Sequence, residues 1–174
     1  LGEAFGPLAV DVVHASDLRR TEETARAVAG GRPVTLHAGL RELALGDYEG
    51  RHVDDALEVA PGFLIDPDAA LPGGESLRDL SKRTVPTVER LLAADHEDLV
   101  VVAHGGVNRS LLGVLMGMPL ERAIRIRQDW AGVNLLEQHG FRWVIRGLNW
   151  TPQGIRELDR TARTTHLHER AHGS

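Results

Sequence analysis

The chain has 174 residues, 42% of them hydrophobic, which suits one domain with a proper core. A formal net charge of -5 argues against a dominant nucleic-acid groove, so an anionic ligand would need a local cluster of Arg and His. The absence of cysteine removes disulfides and thiolate nucleophiles, and no apolar run approaches the ~20 residues that span a bilayer.

The chain opens at Leu1 rather than at Met and reads as if entered midway through a helix. Val12-Val13 marks a short strand. Ser16 and Asp17 are N-cap candidates for a helix from Arg19 to Ala29, which Gly30-Gly31 ends. Val34 to Leu36 is a second strand, and Gly39 to Gly50 is loop-like. Val53 to Ala60 reads as a short helix stopped by Pro61-Gly62. Pro72-Gly73-Gly74 is a turn, and Glu75-Ser76 starts a long helix to about Ala94, with Pro86 predicting a kink or break. Leu99 to Val102 is a solid apolar run, hence a buried strand. It breaks at His104-Gly105-Gly106, and a helical pattern follows. A short helix comes after Pro119. Val133 to Glu137 and Arg142 to Ile145 form a hairpin around His139-Gly140. Strands alternating with helices predict an α/β sheet with helices on both faces. Residues 1–158 form the single expected domain, and 159–174 a polar tail.

Ligands of open α/β sheets bind at the carboxyl ends of strands, where His104 falls. Two glycines beside a helix N-terminus let backbone N–H groups approach an anion, and a histidine there can bind a phosphoryl group or move a proton. The plainer alternative is a histidine that merely caps the helix. Arg20 opens the helix after the first strand, where the helix dipole favours acids, so a bound anion would explain it. A solvated Arg paired with Glu22 or Glu23 would do so too. Glu42 is flanked by apolar residues in a loop, and partial desolvation would raise its pKa toward that of a general acid. The alternative is an ordinary surface Glu. Pro72 to Ser76 is explained by helix-start chemistry alone, and Asn134 by a hydrogen bond at the edge of the core. Trp130, Trp143 and Trp150 read as packing residues. His166, His168 and His172 lie in a polar tail and do not compose a closed metal site.

Together these segments resemble the histidine phosphatase superfamily, the phosphoglycerate-mutase-like group. Ser16-x-Leu18-x-Arg20 with Thr24-Ala25 is similar to the family's second arginine motif. Leu40-x-Glu42 followed by Gly46-x-Tyr48-Glu49-Gly50 is similar to its proton-donor loop. Pro72-Gly73-Gly74-Glu75-Ser76 is similar to the turn before its long helix, and Ala103-His104-Gly105-Gly106 with Arg109 to its second-histidine motif. The resemblance implies a three-layer sandwich with a mostly parallel sheet, here lacking the family's first strand. It implies that Arg20, His104 and Gly105 bind phosphate and that Glu42 and His104 are catalytic. The family opens with Arg-His-Gly, whose histidine is the nucleophile, and no Arg-His-Gly occurs here. Arg51-His52-Val53 is a near miss in the wrong place. The nucleophile is therefore expected upstream of this chain, which alone would be inactive. The missing strand lies inside the family's sheet, so the isolated chain is expected to fold poorly.

The implied activity is that of a phosphatase acting on a small phosphorylated metabolite through a phosphohistidine, with no metal and no cofactor. The segment between Gly50 and Gly73 is short beside that of dedicated mutases, which favours water as acceptor. Phe63, Leu64 and Ile65 are expected to wall a lid. A phosphoglycerate-type mutase and a phospho-ligand binding pseudophosphatase are the alternatives. A cytoplasmic protein, free of nucleic acid and membrane and compatible with a homodimer, is expected.

Overall fold

The computed structural model describes residues 10–63, 65–140 and 142–151. Strands β1 (Val12–Ser16), β2 (Val34–His37) and β3 (Leu99–Val102) form a parallel sheet in the order β2-β1-β3. Val13 lies opposite Val34 and Val100, and Ala15 opposite Leu36 and Val102. Strands β4 (Val133–His139) and β5 (Arg142–Trp150) make a separate antiparallel hairpin. The helices are α1 (Arg19–Ala29), α2 (Val53–Val59), α3 (Leu77–Leu92), α4 (Gly105–Leu115) and the single turn α5 (Leu120–Ala123).

The two-residue period of the strands sorts their side chains into two cores. Val13, Ala15, Val100 and Val102 meet Ala25 and Ala29 of α1 on one face. Leu99 and Val101 point the other way, against Leu80, Val88 and Leu91 of α3 and Val107 of α4. Helices thus cover both faces, which is why β3 reads as an unbroken apolar run. Leu40 and Leu80 are wholly buried, and each contributes about 1.5–3 kcal/mol of burial. No described strand pairs with the outer edge of β3.

Local chemistry sets the boundaries. Gly30 ends α1 in the left-handed region at φ 56°. The Ser76 hydroxyl accepts from the Asp79 amide at 3.1 Å and donates to its carboxylate at 2.7 Å, capping α3. Helix α3 runs through Pro86 without the break that residue suggested. The cap residue of α1 is Leu18, with no side-chain bond to the helix. Ser16 and Asp17 are therefore not its caps, and both are engaged elsewhere.

Two other expectations fall differently, and the hydrogen bonding expected of Asn134 is present. Phe63 is buried with Ala56 and Leu71 in a small satellite core instead of walling a lid, while Ile65 is exposed and Leu64 lies outside the described residues. Trp130 does not pack: it is 96% exposed, on a turn closed by a Gly132 to Asp129 bond of 3.0 Å. Asn134 bonds Gln128 and the Asn149 amide, and Gln128 also bonds Asn108, which ties the hairpin to the first turn of α4. The chain's opening, its polar tail with His166, His168 and His172, and the domain boundary at 158 lie outside the described residues. No described helix is long and apolar enough to cross a membrane.

Candidate active site

Strands β1 and β3 are parallel neighbours, so the segments leaving their carboxyl ends emerge side by side. Ser16 ends β1 and Arg20 lies in the first turn of α1; His104 follows β3 and precedes α4. Residues some 84 positions apart in sequence are thereby brought into contact. The Arg20 Nη2 lies 3.2 Å from Nδ1 of His104, and Nε2 of the same ring lies 3.0 Å from the Ser16 hydroxyl.

A guanidinium carries only donors, so Nδ1 must accept. His104 is then neutral, with its proton on Nε2 and donated to Ser16. The ring is 7% exposed, and this burial holds its pKa below the ordinary imidazole value. The Glu42 carboxylate pulls it upward, and Arg20 and Arg83 add to the depression.

Although His104 occupies the N-cap position of α4, its side chain makes no capping bond. Its partners are Arg20 and Ser16, so helix capping does not account for it. Nor is Arg20 held by a neighbouring acid: Glu23 pairs with Arg19 at 2.8 Å and Glu22 with Arg26 at 2.6 Å. Arg19 faces solvent, leaving Arg20 as the arginine turned toward the site.

Glu42 is half-buried and reaches the start of α4. Its two carboxylate oxygens each lie 3.2 Å from the Gly106 amide, and Oε1 accepts from its own neighbour Leu43 at 2.9 Å. Helix N-terminal amides have no partner within the helix, and this one holds an acid two residues from His104. Gly106 is required there: a Cβ would overlap Glu42 Oε1 and come within 3.2 Å of Leu80 Cδ2. Gly105 sits over Arg109, whose Nε donates to the Ile126 carbonyl at 2.9 Å.

His52 stands apart, exposed at the start of α2, with its Nδ1 accepting from the Asp54 amide at 3.4 Å and lying 3.1 Å from the Asp54 carboxylate. Asp17 forms a two-pronged pair with Arg41 at 2.7 Å, which anchors one end of the Glu42 loop to the end of β1. Sequence reasoning passed over Ser16 as a partner of His104. It also passed over Glu75 and Arg83, which grip the Glu42 loop. Arg83 carries no local signal, since it reads as one more charge on a long helix.

The sequence model of the histidine phosphatase superfamily (branch 1) matches residues 1–151. The chain belongs to this family. It is 35% identical over 124 residues to the glucosyl-3-phosphoglycerate phosphatase of Mycolicibacterium vanbaalenii, spanning 63% of this chain and 55% of that protein. The structure of a mycobacterial glucosyl-3-phosphoglycerate phosphatase with inorganic phosphate superposes with a TM-score of 0.78 at 30% identity, covering 87% of this chain and 83% of that one. The alpha-ribazole phosphatase of Shigella flexneri superposes with a TM-score of 0.76 at 28% identity, over 86% and 78% of the two chains.

Proposed function

We propose that this protein is a phosphomonoesterase that works through a phosphohistidine, on a small phosphorylated metabolite. The observation carrying this reading is the convergence of Arg20, His104 and Glu42 at the carboxyl ends of β1 and β3. The three relatives above are phosphatases by name, which supports hydrolysis, but names alone do not decide against mutase chemistry: a probable phosphoglycerate mutase of Salmonella choleraesuis is 29% identical over 157 residues.

The nucleophilic histidine and a further arginine come from a segment upstream of this chain. The outer edge of β3, an apolar strand leading to His104, is where such a strand fits. Arg20, His104 and the Gly105 amide bind the phosphoryl oxygens, with Arg20 and His104 giving up their mutual bond to do so. The dianion favours the imidazolium, which replaces the neutral ring seen here. As the P–N bond to the nucleophile forms and the P–O bond breaks, Glu42 passes its proton to the departing alkoxide. Water then attacks phosphorus, Glu42 takes its proton, and the P–N bond breaks to release phosphate. Positive charge comes from arginine and histidine, so the reaction calls on no metal. A sugar-bearing phosphomonoester is the substrate class, a reading supported by the names of the glucosyl-3-phosphoglycerate phosphatase relatives.

The test is turnover of a phosphomonoester panel by the full-length gene product, with and without chelator. Glu42→Gln is expected to keep vanadate affinity while turnover of an alkyl phosphate falls about 10²–10⁴-fold. Chelator-sensitive activity, or wild-type turnover in Glu42→Gln, would overturn the reading.

A further inference from the structure

The loop that carries Glu42 has little regular structure: one 3-10 turn at Ala38–Leu40 and another at Gly46–Tyr48. Its backbone carbonyls nonetheless converge on one side chain of α3. Arg83 Nη1 donates to the carbonyls of Gly39 at 3.1 Å and Arg41 at 2.8 Å, and Nη2 to that of Glu42 itself at 2.9 Å. Its Nε and Nη2 also grip the two carboxylate oxygens of Glu75, at 2.7 and 2.8 Å. A guanidinium has five N–H groups in a fixed fork, and every one is used here.

Glu75 closes the other side. Its Oε2 accepts from the Ala44 amide at 3.1 Å, while its own amide donates to the Ala44 carbonyl at 2.8 Å. The Asp47 amide donates to the Pro72 carbonyl at 3.0 Å. The backbones run so close that a Cβ on Gly74 would lie 2.6 Å from the Ala44 carbonyl, and one on Gly46 would overlap that of Pro72. None of this is needed to start α3, which Ser76 and Asp79 cap unaided. The bond to Arg83 holds the Glu75 carboxyl below the usual carboxylate range, so Glu75 is ionised throughout the neutral range.

We propose that Glu75 and Arg83 are positioning residues for the proton-transfer step: they fix the backbone of residues 39–44 so that the Glu42 carboxyl stays on the Gly106 amide, facing the phosphate site. This rests on the phosphatase reading above. Neither residue reaches the reacting atoms; both act through Glu42. Lysine, with three donors and no fork, cannot reproduce the Arg83 set.

The test compares Arg83→Lys and Glu75→Gln with wild type in the full-length gene product, in single-turnover phosphorylation by two esters. An alkyl phosphate needs a proton on its leaving oxygen, whereas 2,4-dinitrophenyl phosphate departs as a stable anion. Both variants should lose about 10²-fold on the alkyl ester, the effect of a misplaced catalytic group. On the dinitrophenyl ester, which needs no proton, they should lose less than about threefold. Arg83→Lys combined with Glu42→Gln should lose no more than Glu42→Gln alone. The Gly106 and Leu43 amide resonances should move in both variants, a readout independent of turnover. Equal losses on the two esters, additive losses in the double variant, or an unmoved Gly106 amide would overturn the inference while leaving the phosphatase reading intact. Failure of the wild type to turn over either ester would overturn both.

Discussion

Replacing Gly106 by alanine should disarm the acid without dismantling the helix. The new methyl group would overlap Glu42 Oε1, with Leu80 Cδ2 at 3.2 Å on its other side. Leu80 is wholly buried in the α3–α4 core and need shift only a few tenths of an ångström, whereas the carboxylate, far closer and at the end of a flexible side chain, must retreat. Ordinary contact begins at 3.4 Å, which puts the retreat at about 1 Å. That breaks the bonds at 3.2 Å to the Gly106 amide. A hydrogen bond to a charged group contributes about 1.5–3 kcal/mol, and alanine in place of glycine in a helix returns about 0.5–1. The net loss of about 0.5–2.5 kcal/mol is small beside a typical domain stability of about 5–15 kcal/mol. The variant should stay folded, with turnover of an alkyl phosphate down about 10²-fold, the scale for an ångström of misplacement. The assay is kcat of the full-length gene product on an alkyl phosphate, with vanadate affinity and a urea melt as controls. A folded Gly106→Ala variant with near wild-type turnover would refute the reasoning, because the seat of Glu42 on this amide would then be immaterial.

Two further outcomes follow from the histidines. Ser16→Ala removes the acceptor of the His104 Nε2 proton and leaves a buried donor unpaired, at a cost of about 1–3 kcal/mol; urea unfolding measures it, and an unchanged midpoint would show that this bond contributes nothing. His14 is also held below its ordinary value, by burial first and then by His37 and His96, and His104 by burial. Both groups take up protons in the unfolded chain near pH 6.5 but resist doing so when folded. Stability should therefore fall as pH drops below 6.5 toward their folded values, by at most about 1.4 kcal/mol per pH unit for each. Urea melts at pH 7.5 and 5.5 check this, both lying above the range where carboxylates titrate (about pH 4). Equal stabilities would refute it.

Much of the fold is legible along the chain because its signals are local. The unbroken apolar run from Leu99 to Val102 reads as a buried strand; it is a strand packed on both faces, but its residues are only half-buried and no described strand covers its outer edge. Gly30 and Ser76 terminate and start helices through their own backbone and side-chain chemistry. Of the candidate site, Arg20, Glu42 and His104 are recognisable as motif residues at the ends of strands and in the loop between them. Their alternatives, a solvated arginine, a surface acid and a capping histidine, could be set aside only with partners in view. Locally plausible assignments also failed. Ser16 suits an N-cap but serves His104, Phe63 suits a lid but fills a satellite core, and Trp130 suits a core but stands in solvent.

Composition, periodicity and turn chemistry by themselves determined that this is an α/β chain and where its helices and strands lie, because hydrophobic spacing and glycine act within a few residues. Which side chains meet was decided only by the tertiary structure. The parallel pairing of β1 with β3 sets Arg20 beside His104, and the packing of α3 under the Glu42 loop gives Arg83 three of its five acceptors. The physical reason is distance along the chain: a hydrogen bond between groups more than forty residues apart leaves no trace in the local pattern around either partner.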